Sequence, residues 1–156
     1  MAATQVIDIV RTTTASPSTV YGLVADGSTW PTWSPIGEFE LERAGEAAAR
    51  GEGAGAIRVF RTPQPWGRAT TSREEVVEAV PDKRFSYVML SGLPITEYRA
   101  VIELTPTDAG TSIHWRSTFR GRFGLGPGVK WGLGRFIAEA VDGLAAHAAE
   151  AEAPEA

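Results

Sequence analysis

The sequence predicts an α+β fold in which a seven-stranded antiparallel sheet curves around one long C-terminal helix, with two short helices after the first strand. Three observations carry this expectation. Residues 5–33, QVIDIVRTTTASPSTVYGLVADGSTWPTW, read as a strand, a Ser-Pro helix start, a short apolar helix and then Trp30-Pro31-Thr32-Trp33. Residues 127–149 repeat apolar side chains at steps of three and four, which is one stripe of an amphipathic helix. Between these ends lie only strand-like runs separated by short turn signals. Connections that short join antiparallel neighbours, because parallel strands need a crossover of roughly a dozen residues or more. A helix held across a curved sheet leaves room for a cavity, where a small molecule would bind.

The elements follow in order. The first strand spans residues 5–14, with Val6 and Val10 on one face and Ile7 and Ile9 on the other. Asp8, between the two isoleucines, faces either solvent or the interior, where burial would raise its pKa. Ser16 suits an N-cap, and Pro17 the first helical position, whose N–H has no partner in any case. That helix runs to about Ala25 with Val20, Leu23 and Val24 inward, and Asp26-Gly27 stops it. Residues 28–33 make a second short helix. Six strands are then expected over 38–43, 56–62, 68–80, 85–90, 95–104 and 111–120. Between them lie a glycine-rich turn at 51–55, a hairpin tip at Pro63-Gln64-Pro65-Trp66-Gly67, and turns at 81–83, 92–94 and 107–110. The last helix starts near Pro127 and ends near Glu150. Its stripe is Val129, Leu133, Phe136, Ile137, Ala140, Val141, Leu144 and Ala148.

Composition narrows the function classes. At 156 residues the chain reads as a single domain, 1–150, followed by a frayed acidic tail, 151–156. There is no cysteine, which excludes disulfides and thiolate chemistry. His114 and His147 lack ligand spacing, so no metal is expected, and no cofactor motif is present. The glycines at 124, 126, 128, 132 and 134 do not make a phosphate loop, because Lys130 is followed by Trp131 rather than Ser or Thr. The net charge of −4 argues against a nucleic-acid partner. No apolar run is long enough for stable membrane insertion, and no signal peptide is read at the start. The expectation is a cytoplasmic monomer or weak homodimer. Charge is uneven: residues 38–52 are mostly acidic, whereas 109–138 contain no carboxylate. Arg122, Lys130 and Arg135 therefore form either a solvated face or a positive rim that favours an anionic ligand end.

Strand alternation assigns the candidate pocket. Phe85, Tyr87 and Met89 point inward, as do Tyr98, Ala100, Ile102 and Leu104, and then Ile113, Trp115, Ser117 and Phe119. His114, Arg116, Thr118 and Arg120 point out. The ligand-binding candidates are Tyr87, Met89, Tyr98, Trp115, Ser117 and Phe119 from the sheet and Phe136, Ile137 and Val141 from the helix. Plain core is the alternative for each, but the polar tips of Tyr87, Tyr98, Trp115 and Ser117 suit an aromatic or lipid-like ligand with a few oxygens. Trp30 and Trp33, three residues apart, share one side of their helix. Either both plug one end of the sheet, or one lines the cavity with a flat apolar wall and an N–H. Trp66 reads as a surface aromatic or part of a pocket rim.

The sequence resembles the START-like helix-grip superfamily, which includes the birch-pollen-allergen fold and the bacterial polyketide cyclase/dehydrase and lipid-transport proteins. The residues that carry the resemblance are Ala15-Ser16-Pro17 through Val20-Tyr21, and Asp26 followed by Trp30-Pro31-Thr32-Trp33-Ser34-Pro35. Residues 53–60 and 74–87, Gly92-Leu93-Pro94, and Gly110-Thr111-Ser112-Ile113-His114-Trp115 complete it. It implies binding or carriage of a small hydrophobic molecule, whose end can be anionic. Aromatase/cyclases of this superfamily use an arginine on the fourth strand with tyrosine and tryptophan nearby. The resemblance therefore implies an alternative in which Arg73, with Tyr87 or Tyr98, promotes aldol cyclisation and dehydration. A ligand-free interaction module is the third possibility.

Overall fold

A computed structural model describes residues 3–46, 52–65 and 67–153. The sequence expectation for Trp66 lies outside the described residues, as do residue 51 of the glycine-rich turn and residues 154–156 of the tail. The strands are β1 (Thr4–Thr13), β2 (Glu38–Arg43), β3 (Ile57–Thr62), β4 (Thr70–Val80), β5 (Arg84–Ser91), β6 (Ile95–Thr107) and β7 (Gly110–Gly121). The helices are α1 (Pro17–Ala25), α2 (Trp30–Trp33) and α3 (Gly126–Glu152), with a 3₁₀ turn at Gly27–Thr29. All pairings are antiparallel, in the spatial order β1-β7-β6-β5-β4-β3-β2.

The local chemistry explains these elements. The Ser16 hydroxyl accepts from the Thr19 N–H and Pro17 opens α1, while the Asp26 carboxylate accepts from the Ser28 N–H and starts the 3₁₀ turn. Helix α3 buries Ile137, Ala140, Val141, Leu144 and Ala148 and packs on β1, β7, α1 and α2. Its approach to α2 requires Gly143, where a Cβ would run into the Trp33 carbonyl. The far end of α3 is pinned: the Glu152 carboxylate accepts from the Ser16 N–H, the Ser16 hydroxyl and the Thr19 hydroxyl at 2.5, 2.6 and 2.9 Å. Those bonds hold its pKa below the ordinary carboxylate value. Asp8 faces outward, 2.6 Å from His114 Nε2 and 3.7 Å from Arg116 Nε.

The strands also carry register slips. On β4, pairing to β5 slips between Arg73 and Glu74 and again between Val76 and Glu78. The second slip leaves Val77 as an extra residue and reverses which parity faces the interior. Val76 and Glu74 are buried, whereas beyond the slip it is Ala79, opposite Phe85, that packs on the core.

Candidate ligand-binding site

A cavity of about 340 Å³ lies between α2, the first turns of α3 and the side of the sheet formed by β3 to β6. That volume is at the small end of the range for ligand pockets. Trp30 and Ile36 form one wall, and Val129, Gly132, Leu133, Phe136 and Ile137 of α3 another. The sheet contributes Thr62, Thr70, Ser72, Glu74, Tyr87, Met89 and Tyr98, and the connecting turns add Gln64 and Leu93. None of these is a basic residue.

The ionisable centre of the cavity is Glu74. It is 6 % exposed, and its Oε2 is buried without a hydrogen-bond partner. Burial raises its pKa to about 7, against the opposing pull of Arg58. Tyr87 and Tyr98 stand with it, 3 % and 4 % exposed, with ring centres 6.2 Å apart. Burial pushes both phenols above their ordinary value, so both remain O–H donors. The Tyr98 and Ser117 hydroxyls share a 3.0 Å hydrogen bond, which fixes the direction of the phenol.

Behind this wall is a buried cation. Arg58 lies directly opposite Glu74 on the neighbouring strand and is fully buried. Its guanidinium carbon is 5.0 Å from the Trp30 ring centre, 5.1 Å from that of Phe60 and 4.9 Å from that of Phe85. This is the position a cation takes over aromatic faces. Its Nη1 donates to the Val24 carbonyl at 3.1 Å and to Glu52 Oε1 at 3.3 Å. Glu52 also accepts from the Gly27 N–H at 2.8 Å. Burial lowers the Arg58 pKa, and Glu52 and Glu74 oppose that shift. Burial, which Arg58 only partly opposes, holds the Glu74 carboxyl toward its neutral form.

The sequence-derived candidates divide into two layers. Trp30, Tyr87, Met89, Tyr98, Phe136 and Ile137 line the cavity. Trp33, Trp115, Ser117, Phe119 and Val141 are buried behind it. Trp33 and Trp115 pack on Trp30 at 4.7 and 5.7 Å between ring centres, and Phe119 stacks on Tyr98 at 6.2 Å. Arg73 is displaced from the expected role. It sits on the outer face, where its Nε and Nη2 donate to the two Glu42 oxygens at 2.8 and 2.6 Å. The slip at Val77 is the physical reason, because parity counted back from Ala79 would turn Arg73 inward. Arg122, Lys130 and Arg135 are exposed and lie outside the lining.

Arg58 and Glu52 are not among the sequence candidates, and Glu74 is read from the sequence only as one of several catalytic residue types or as an outer-face partner of Arg73. The available signal for Arg58 was its place two residues before Phe60 in Ile57-Arg58-Val59-Phe60, a charge on the face that carries the aromatic. Ser72 and Thr70 share the Glu74 face of β4, opposite Phe60 and Thr62.

Residues 4–149 match the family described as polyketide cyclase/dehydrase and lipid transport. No curated protein matches the chain. Among solved structures, Ara h 8.0201 superposes with a TM-score of 0.77 at 14% identity, covering 95% of this chain and 99% of that one. A START superfamily protein from Mycobacterium smegmatis gives 0.76 at 15% identity over 94% and 98% of the two chains. The Zhui aromatase/cyclase from Streptomyces sp. R1128 gives 0.75 at 13% identity over 94% of each. At these identities the likeness is one of fold, and function has to be argued from the site.

Proposed function

Because the chain belongs to the polyketide cyclase/dehydrase and lipid-transport family, and its cavity combines apolar walls with a single buried carboxyl, we propose that it binds a small, neutral, hydrophobic molecule carrying a hydroxyl or carbonyl oxygen. The observation that carries this reading is Glu74: a carboxyl with an unpartnered buried oxygen, lining the cavity beside two phenols. A hydroxyl or carbonyl placed there supplies the hydrogen bond that the cavity wall lacks, and an unmade buried bond is costly. An anionic end would meet a carboxyl instead of a cation, so the ligand's polar end is read as uncharged.

Calorimetric titration with 2-naphthol and 2-naphthoate tests this with one aromatic body and two end groups. At pH 8 the naphthol is expected to bind at least about tenfold more tightly, since two carboxylates a few ångströms apart repel by more than about 1 kcal/mol in a partly buried site. Glu74→Gln should narrow that ratio. Equal affinities, or tighter naphthoate binding, would sink the neutral-end reading. Failure of both probes to bind would leave the interaction module as the better account.

A second reading, catalysis of the cyclase type, is favoured by one further observation. A carboxyl that titrates about neutrality next to phenols that stay protonated is a matched base and donor set. In this reading Glu74 replaces Arg73. Its carboxylate removes a proton from the carbon next to a ligand carbonyl, while Tyr87 or Tyr98 donates a hydrogen bond to the oxygen on which charge develops. The measurement is exchange of the α-hydrogens of 2-tetralone in D₂O, followed by NMR. Enhancement that Glu74→Gln abolishes supports catalysis, and exchange at the buffer rate leaves a binding protein.

A further inference from the structure

The described residues expose five large apolar side chains, of which Phe123, Leu125 and Trp131 fall together at the passage from β7 into α3. They are 91 %, 48 % and 68 % exposed. The turn that presents them is built: Arg122 N–H donates to the Pro94 carbonyl and Leu125 N–H to the Arg122 carbonyl, each at 2.9 Å. Phe123 has a φ of 54°, in the left-handed region that a bulky residue seldom occupies. Holding an aromatic ring outward in that backbone state brings the core nothing.

The charge around these side chains has one sign. Arg122, Lys130 and Arg135 are exposed, and the Arg135 guanidinium lies 5.2 Å from the Trp131 ring centre. No carboxylate occurs between residues 109 and 138. Glu97 is engaged by Arg120 at 3.1 Å and Asp142 by Arg11 at 2.8 Å, and the first carboxylate of α3, Glu139, is exposed one turn beyond Arg135. The patch belongs to the end of the molecule that holds the cavity. The first turns of α3 also supply Val129, Gly132 and Leu133 to its wall, and Pro94 follows the lining residue Leu93.

We propose that this surface docks on an anionic phospholipid bilayer, with Phe123, Leu125 and Trp131 entering the headgroup layer and Arg122, Lys130 and Arg135 meeting lipid phosphates. Protruding aromatic side chains beside cations match the polarity profile of that interface. The net charge of −4 does not oppose docking, because charges beyond about 8 Å are screened at physiological salt. Docking is superficial, since no helix among the described residues is long and apolar enough to cross a membrane. Three protruding side chains interspersed with cations along the chain favour a soft, charged surface over a protein partner, whose stable interface would need about 1,000 Å² of complementary contact. The inference stands on the surface alone and does not depend on what the cavity binds.

The test is flotation of the full chain with vesicles of phosphatidylcholine alone and of phosphatidylcholine with phosphatidylglycerol in equal parts. Retention is expected on the anionic vesicles at 0.1 M NaCl, with most of it lost at roughly 0.5 M as screening shortens. Each basic side chain near such a surface is worth about fivefold in affinity, so Arg122→Gln, Lys130→Gln and Arg135→Gln together should cost on the order of 100-fold. Trp131→Ser and Phe123→Ser should each weaken binding several-fold or more, of order tenfold. Val10→Ser, on the outer face of β1, should change nothing. All the altered residues are exposed, so circular dichroism should report an intact fold. Absence of retention at 0.1 M salt, equal retention on both vesicle types, or full retention of both serine variants overturns the proposal. A dimer in solution that Trp131→Ser dissociates would assign the patch to a second copy of the chain, and would also overturn it.

Discussion

Arg58 and Arg73 occupy adjacent strands, β3 and β4, and each is held by a glutamate. By geometry the outer pair is the better one: Arg73 grips Glu42 through two bonds of 2.8 and 2.6 Å, whereas Arg58 reaches Glu52 through one at 3.3 Å. The carboxyls respond in opposite directions. The Glu42 pKa is lowered, first by the hydrogen bonds from Arg73. The Glu52 pKa is raised, because burial outweighs the attraction of Arg58. Solvent, more than bond length, decides what each pair does. The outer pair can be replaced by water at each partner, while the inner pair has no such substitute. The inner charge also reaches the cavity, because Arg58 is the cation that opposes the burial of Glu74.

The largest expected effect is therefore on Arg58. Arg58→Ala removes the only cation facing Glu52 among the groups acting on it and leaves a space under the Trp30, Phe60 and Phe85 rings. It should destabilise the protein by about 3–5 kcal/mol, the cost of breaking a buried pair from one side. Urea unfolding measures this. The double variant Arg58→Met, Glu52→Gln should recover most of the loss, since it removes both buried charges and the glutamine oxygen can still accept from Gly27. A loss below about 1 kcal/mol for Arg58→Ala would mean that the buried cation is not anchored by its partners.

Glu74 gives the next effect, and its sign follows from proton counting. With a folded pKa of about 7 against an ordinary value of 4.5, the folded state holds a proton that the unfolded state has released between those two pH values. Stability must then fall as pH rises from about 4.5 to about 7 and level off above that, losing roughly 3 kcal/mol in total. Glu74→Gln removes this dependence. The variant should match the wild type below pH 4.5 and exceed its stability at pH 8. Unfolding midpoints measured across pH 4–8 check it, and parallel curves for the two proteins would mean that folding leaves the Glu74 pKa where it is in the unfolded chain.

Much of this architecture is legible in the sequence, and each exception has its own physical cause. The inward sets of β5, β6 and β7 follow simple alternation, because a ring of apolar residues marks the face: Phe85, Ile102, Ile113 and Trp115 are buried. On β6 the slip near Glu97, whose φ is 56°, falls before Tyr98 and leaves the later parity intact. On β4 the slip falls in the middle, at Val77, and valines on both sides conceal it. Arg73 is expected in the site from the family resemblance alone, and alternation along β4 does not reveal that its neighbour Glu74 is the residue that faces inward. The division of Trp115, Ser117 and Phe119 from the lining has a different origin. They belong to β7, on which α3 packs directly, while the cavity opens toward β3 to β6. Alternation says which way a side chain points, and the position of the helix decides whether it meets space or another side chain. Arg58 was hidden because charged residues are expected at the surface, and only pairing with β4 places it opposite Glu74.

The smallest expected effect is on the outer pair, and it sharpens the comparison. Arg73 and Glu42 are 41% and 39% exposed at their side chains, so water solvates either partner when the other is removed. Exposed pairs of this kind gain little and are screened by salt. Arg73→Gln should shift the thermal midpoint slightly at low salt, and the shift should vanish in 1 M NaCl. It should leave 2-naphthol binding unchanged, because Arg73 does not line the cavity. The same two measurements on Arg58→Ala should show the reverse pattern: a large loss at any salt, because buried charges are poorly screened, and weakened naphthol binding through the loosened Trp30 wall. If Arg73→Gln instead abolished naphthol binding while the fold stayed intact, strand β4 would have to present Arg73 to the ligand, and the assignment of Glu74 to the cavity would fall with it.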